Sequence, residues 1–249
     1  MNRIIVIPAA GRGSRLGSNL PKLLVPVNGR PMIDYLFQRY RDVASVFLLV
    51  VSPGAESAVR SHLKGREEKI EILVQESPTG MLDAILIPCE RVRQLHPDEV
   101  WITWCDQVAV ESETVRRLAS LMGTARIPAL GLPTVILGAP YIHFARHPDG
   151  GIAEVLHRRE GDTMPEHGEG DIGLFALTAA TYLDLLPQYA EAAPLGRLTG
   201  ERNFLPFIPW LASRGSVRTI RATAPIEAIG INTEEELEKV SQYLGSGSR

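Results

Sequence analysis

The stretch Val6-Ile7-Pro8-Ala9-Ala10-Gly11-Arg12-Gly13-Ser14-Arg15-Leu16, with Pro21-Lys22 close behind it, decides how this chain is read. The apolar run from Ile4 to Ile7 predicts a buried strand. It empties into a loop where Gly11 and Gly13, lacking side chains, let backbone N–H groups close on a phosphate. Arg15 and Lys22 bring two cations to the same loop, one a planar fork that matches phosphate oxygens and one a compact point charge. A triphosphate is the guest this arrangement suits. Two other Gly-rich loops are excluded by spacing. The dinucleotide fingerprint needs G-x-G-x-x-G running into a helix, but the third glycine here, Gly17, comes one residue late, and Asn19 and Pro21 block a helix. The Walker loop needs Gly-Lys-Ser or Gly-Lys-Thr, and neither occurs in the chain. Taken alone, the two glycines are better explained as a tight strand exit, so the reading rests on what surrounds them.

Around that loop the first half alternates strand and helix patterns. Strands are expected at Val46 to Val51, Ile70 to Val74 and Val100 to Trp104. Helices are expected from near Pro31, over Ala55 to Leu63, from Met81 to about Val92 and from about Glu113 to Met122. Near-continuous apolar strands separated by helices predict an α/β, Rossmann-like fold: a mixed, mostly parallel sheet with helices on both faces. Ligands of such sheets bind beyond the carboxyl ends of the strands, so the loops after Ile7, Val74 and Trp104 should meet in one cleft.

After a strand at Ala129 to Leu132, residues 133–170 turn rich in Gly, Pro, His and charge, which predicts an insertion carrying a hairpin and a mobile loop. A strand at Ile172 to Leu177, a helix from Ala179 to Leu186 and a short helix or turn within Phe204 to Leu211 follow. Thr233 and Glu236 have capping-box spacing ahead of a helix with Leu237, Val240 and Leu244 on one face. The organisation expected is one domain over residues 1–244 and a flexible tail over 245–249.

With 249 residues, 45% of them hydrophobic, 22% charged and a formal net charge of -3, the chain can build a sizeable core and lacks the basic footprint of a nucleic-acid binder. No apolar run reaches the roughly 20 residues of a membrane helix, and no signal peptide is evident, so no membrane association and a cytoplasmic location are expected. Cys89 and Cys105 form no C-x-x-C pair and read as small buried hydrophobes. The six histidines offer no helical ligand pair, and no zinc site is expected. Trp101 and Trp104 read as core rather than as stacking platforms.

Ala9 to Leu16 with Pro21-Lys22 resembles the opening signature of the sugar-1-phosphate nucleotidyltransferases, A-[AG]-G-x-G-[ST]-R-[LM] followed by P-K. Three further elements are similar in the same order: Gln75, Pro78, Gly80 and Ala84 within Gln75 to Ala84, Asp106 after the central apolar strand, and Gly230-Ile231-Asn232 ahead of the last helix. The resemblance covers most of the chain. It is nearest to the uridylyl-, thymidylyl- and N-acetylglucosamine-1-phosphate uridylyltransferase catalytic domains, and it implies their GT-A-like nucleotidyltransferase fold. It also implies an Mg²⁺-dependent enzyme that transfers a nucleotide from a nucleoside triphosphate to a sugar 1-phosphate. Arg15 and Lys22 would be catalytic. Ala9, Ala10, Gly11, Gly13, Gln75, Gly80 and Asp106 would hold the nucleotide, and Asp106 and Asn232 would hold the metal.

The physics of those roles stands beside the resemblance. Both reactants are anions, so catalysis is mostly positioning and cancellation of charge. Asp106 and Asn232 offer hard oxygens suited to Mg²⁺, and the Gln75 amide can both donate to and accept from a base. Each residue also has a plainer reading: Asp106 and Asn232 as turn residues, Gln75 as a partner of the backbone. The Gln75 element points to UTP or dTTP as donor, with CTP and GTP open. On the acceptor side the chain departs from the family. His157 and Arg158 stand where sugar-binding members commonly carry a glutamate, often followed by lysine, and Asp171-Ile172-Gly173 stands for an N-T-G element. These three positions, His157, Arg158 and Asp171, are the candidate acceptor contacts. The rivals are a cytidylyltransferase acting on a polyol-type phosphate and a non-catalytic regulatory module of the same fold.

Overall fold

The computed structural model describes residues 1–11, 16–17, 20–125 and 128–247. The opening apolar run forms β1 (Arg3–Ala9), buried from its second residue onward. A 3₁₀ turn at Lys22–Leu24 leads to the small pair β2 (Pro26–Val27) and β3 (Arg30–Pro31), joined by Asn28 and Gly29 at φ 49° and 78°, the two positive angles a tight hairpin turn requires. Next come α1 (Met32–Tyr40), β4 (Val46–Val51), α2 (Pro53–Leu63), β5 (Ile70–Val74), α3 (Met81–Leu86), α4 (Cys89–Leu95), β6 (Glu99–Thr103) and α5 (Ser112–Met122). The single helix expected from Met81 to about Val92 is therefore two. Pro88 has no N–H to give and its ring blocks the preceding turn, so α3 ends and Pro88 becomes the N-cap of α4.

The second half supplies β7 (Ala129–Gly138), β8 (Ile142–Arg146), β9 (Ile152–His157), β10 (His167–Asp171), β11 (Leu174–Thr178), α6 (Leu186–Ala192), α7 (Phe207–Ala212), β12 (Ser216–Arg221) and α8 (Glu234–Gly245). The expected hairpin is β8 and β9. Both ends of the segment 133–170, however, are taken up by the main sheet. The strand read as stopping at Leu132 continues through Pro133 because β11 pairs with β7 at Leu130 and Gly131, while β10 begins its pairing at Thr134. Pro133 falls in the gap between those two partners, where no N–H is needed.

The strands lie in the order β10-β7-β11-β6-β1-β4-β5, with β12 against β7. β1 is parallel to β4 and β6, β4 to β5 and β12 to β7, whereas β11 and β10 run antiparallel to their neighbours. Alternation along the strands divides the core into two. Ile5, Ile7, Phe47 and Leu49 face Phe37, Val59, Leu118 and Val240 of α1, α2, α5 and α8. Ile4, Val6, Leu48 and Ile102 face Leu82, Val92, Leu186 and Phe207 of α3, α4, α6 and α7. This is the mixed, mostly parallel sheet with helices on both faces that the apolar runs predict. Among the described residues no helix is long and apolar enough to cross a membrane.

α8 begins as its sequence predicts: Thr233 Oγ1 accepts from Glu236 N–H at 3.2 Å, and the Glu236 carboxylate accepts from Thr233 N–H at 2.9 Å. Thr233→Ala leaves a helix N–H without its partner and is expected to cost about 1 kcal/mol, a fall of about 2–4 °C in the melting temperature for a chain of this size, measured by thermal unfolding.

Candidate active site

Parallel pairing brings the carboxyl ends of β1, β4, β5 and β6 to one edge of the sheet, and three side chains from distant parts of the sequence meet there. Lys22 opens its 3₁₀ turn, which is anchored by the buried Leu23 and Leu24. Its Nζ donates to Asp106 Oδ2 and, at 2.8 Å, to Asn232 Oδ1. Asp106 lies just past β6, and its carbonyl accepts from Ile231 N–H at 3.1 Å, tying the approach to α8 against it. Gly230 passes so close that a Cβ there would sit 3.2 Å from Asp106 Oδ1. A side chain at 230 would press on the carboxylate that the site presents.

Asn232 is oriented from both ends. Its Nδ2 donates to Gly230 O at 2.9 Å, which turns Oδ1 toward Lys22. Its backbone N–H donates to Glu236 Oε2 at 2.7 Å, so the capping box of α8 also fixes the asparagine before it. A carboxylate oxygen and an amide oxygen thus converge on one positive charge. That donor set fits Mg²⁺, which binds few protein oxygens and completes its shell with water and phosphate. Among the described residues no group of three or more His, Cys, Asp or Glu is placed to hold a metal.

Ala9 and Ala10 are buried at the end of β1, and around the Gly11 Cα there is open space. Gly13 and Arg15 lie outside the described residues. Gln75 follows β5 with its backbone N–H on Val51 O at 2.8 Å; its side chain is buried, and Nε2 donates to Gly80 O at 3.4 Å. Gly80 itself has φ 136°, and a Cβ there would stand 2.6 Å from both the N and the O of Arg202. Glycine is required at 80 by its angle and by its neighbour.

The three acceptor candidates fall in two places. Asp171 ends β10 and accepts from Gly173 N–H at 2.7 Å. Gly173 in turn receives Trp104 N–H at 3.0 Å and packs on Trp104 and Gln107, which sets Asp171 beside the loop that carries Asp106. Burial raises the Asp171 carboxyl, against two backbone N–H bonds, to about 6, so it is largely ionised at neutral pH and gains a proton below that. Gln107 Oε1 is buried without a hydrogen-bond partner, an acceptor next to Asp106 left for a donor from water or ligand.

His157 and Arg158 stand elsewhere, where β9 gives way to a 3₁₀ turn. His157 lines a cavity of about 130 Å³ with Glu160, Asp162, Leu195 and Asn203. Burial pushes its imidazole pKa down, and its ring meets Tyr141 edge-on at 5.2 Å. Arg158 is exposed, with Nη2 on Ala139 O at 2.8 Å. The polar stretch beyond them, expected to carry a mobile loop, makes hydrogen bonds through Glu160 and Asp162 and pairs along β10.

Trp101 is fully buried, as expected of core, and Trp104 is partly buried against Phe175. Cys105 is buried, with its thiol pushed up to about 12 by burial and by the neighbouring Asp106 charge, which leaves it inert at neutral pH. Glu160 and Arg202 make many of the contacts around these residues without having stood out in the sequence.

The profile of the family described as the MobA-like NTP transferase domain matches residues 5–168. The chain is 28% identical over 247 residues to the bifunctional protein GlmU of Pseudomonas putida GB-1, covering 98% of this chain and 52% of that protein. To GlmU of Pseudomonas fluorescens Pf-5 it is 31% identical over 255 residues, covering 100% of this chain and 53% of that one. The chain therefore spans about half the length of the curated relatives it matches. The crystal structure of HddC from Yersinia pseudotuberculosis superposes with a TM-score of 0.68, covering 98% of this chain and 100% of that one at 17% identity, a likeness of fold.

Proposed function

Because the chain belongs to the MobA-like NTP transferase family, we propose that it transfers a nucleoside monophosphate from a nucleoside triphosphate to a sugar phosphate, giving a nucleotide-activated sugar and pyrophosphate. The observation that carries this reading is the convergence of Lys22, Asp106 and Asn232 beyond the carboxyl ends of β1 and β6. A phosphate oxygen of the acceptor attacks the α-phosphorus, the bond from that phosphorus to the bridging oxygen breaks, and pyrophosphate leaves with the electron pair. Asp106 and Asn232 would hold Mg²⁺, which supplies charge neutralisation on phosphate oxygens when bound. Lys22 would present its ammonium to the reacting phosphates when Mg²⁺ takes its two oxygens, and Arg15 is assigned to the triphosphate and the leaving pyrophosphate. Such groups act mainly by stabilising charge where it develops.

UTP or dTTP is the donor favoured by the Gln75 element, and a sugar 1-phosphate the acceptor. The test is a pyrophosphate-release screen of the four ribonucleoside triphosphates and dTTP against sugar 1-phosphates and polyol phosphates with Mg²⁺. Turnover confined to CTP and a polyol phosphate would move the assignment to the cytidylyltransferase reading, which His157 in place of the glutamate common among sugar-binding members keeps in the panel. No pyrophosphate with any pair would overturn the enzymatic reading.

In this reading the Gln75 amide meets the base while its Nε2 also steadies the turn at Gly80. Hydrogen-bonded selection is strong because a wrong base leaves buried polar groups unpaired. Gln75→Ala is expected to reduce discrimination among the triphosphates by about tenfold or more, read as the ratios of kcat/KM. Ratios equal to those of the parent would leave Gln75 as a support for the turn alone.

A further inference from the structure

Glu160 is a buried carboxylate whose partners come from a different part of the chain. It closes the 3₁₀ turn after β9 and accepts Leu198 N–H at 2.9 Å, Thr199 N–H at 3.3 Å, Asn203 Nδ2 at 3.0 Å and the Thr199 hydroxyl. Burial alone would raise its pKa, but these bonds from Thr199, Leu198 and Asn203 hold it at about 2, so the charge is present at every working pH. The fit is close on the far side as well, because a Cβ at Gly196 would collide with both Glu160 Oε1 and Thr199 Oγ1.

The loop gathered around this carboxylate does not end there. Residues 195–202 fold back on themselves, with Leu195 bridged to Arg202 and Gly196 N–H on Glu201 O at 2.8 Å. Arg202 then grips the turn before α3: its N–H donates to Thr79 O at 3.2 Å and its O accepts from Leu82 N–H at 3.1 Å, with Gly80 pressed between. Its guanidinium adds an ion pair to Asp83 at 2.6 Å and a bond to Ala190 O at 3.0 Å. Gly80 O is the atom that Gln75 Nε2 reaches. A continuous set of hydrogen bonds therefore runs from the end of the β8–β9 hairpin, through 195–203, to Gln75.

We propose that Glu160 is a positioning residue that sets the turn 77–82 from the acceptor side, so that selectivity for the base depends on a carboxylate that touches no nucleotide. The inference rests on the reading of Gln75 and Gly80 as the base-binding side. Removing one acceptor oxygen frees the 195–203 loop and with it the Arg202 clamp. Gln75 then loses the fixed carbonyl that holds its amide in register, and interactions that discriminate between bases weaken more than those with the phosphates, which are common to all of them.

The test is Glu160→Gln, which keeps the size of the side chain but turns an NH₂ toward donors. Residue-resolved hydrogen exchange on the ligand-free protein should show the Leu82 and Arg202 amides exchanging about tenfold faster or more, with the β1 and β4 amides unchanged. Calorimetric titration with UTP, dTTP, CTP and GTP should show the preference of the parent narrowing several-fold. Thr199→Val, which removes the hydroxyl that donates to Glu160 and accepts from Glu201 N–H at 3.2 Å, gives the same pattern at smaller amplitude and serves if Glu160→Gln fails to fold. Faster exchange confined to Leu198 and Thr199, with Leu82 protected and base preference intact, would overturn the proposal by reducing Glu160 to a local pin. If the parent binds none of the triphosphates, the functional reading fails instead, while the exchange result stands on its own.

Discussion

Asp106→Ala is expected to abolish the proposed pyrophosphate release, lowering kcat/KM by about 10³-fold or more, with the fold retained. The magnitude follows from what the carboxylate faces. Among the described residues it is the single carboxylate on the Lys22 ammonium, with Asn232 contributing only a neutral oxygen, so its loss removes the formal negative charge that a divalent cation would need at that point. Losing several kcal/mol of charge stabilisation at a reacting phosphate corresponds to a thousandfold change in rate. The fold survives because the tie between this loop and the approach to α8 runs through the Asp106 backbone carbonyl, not the carboxylate. Asp106→Asn sharpens the result: shape and backbone contacts remain while the charge is gone, and activity should still fall by at least a hundredfold. The measurement is pyrophosphate release at saturating Mg²⁺, with circular dichroism and the melting temperature as controls. Turnover within tenfold of the parent would remove Asp106 from the metal site.

The sequence was legible where chemistry is local. Val46 to Val51 and Ile70 to Val74 are strands at the bounds their sequences predict: the first is buried along its whole length and continuously apolar, as a central parallel strand must be, and the second, at the sheet edge, is half-buried and tolerates Glu71. The capping box at Thr233 and Glu236 formed because its two hydrogen bonds involve residues three apart. Lys22, Asp106 and Asn232 could be named from motif resemblance, but their meeting on one ammonium is a product of the sheet order. What stayed hidden depends on partners far away in sequence. The demand for glycine at 230 comes from Asp106, and that at 80 from Arg202. Glu160 sits in a polar stretch that reads as loop, and its donors lie 38 to 43 residues further on. β12 carries one apolar residue toward each core, Val217 and Ile220, so it shows neither an apolar run nor alternation. The Asn28-Gly29 turn, by contrast, is a local signal, two residues that accept the positive φ a tight hairpin requires.

Lys22→Met is expected to lower kcat by about 10²–10³-fold, the usual loss when one charged donor is removed from a developing oxyanion. It should also change stability in a way that reports on the proposed metal site without any turnover. In the parent the Lys22 and Asp106 side chains are 12% and 14% exposed, so the carboxylate is partly desolvated and relies on the ammonium for compensation. Replacing the ammonium by a thioether leaves that carboxylate uncompensated, at a cost of about 1–3 kcal/mol. A cation able to take the same two oxygens restores the balance. Mg²⁺ should therefore raise the melting temperature of Lys22→Met more than that of the parent, since in the parent it must compete with an ammonium already hydrogen-bonded to Asp106 and Asn232. Lys22→Arg should not rescue activity, because a planar guanidinium cannot place one nitrogen where a single Nζ reaches both oxygens. Scanning calorimetry of the parent and variant with increasing Mg²⁺ is the measurement. An equal shift in both, or none in either, would show that the two oxygens gathered on Lys22 are not where the metal binds.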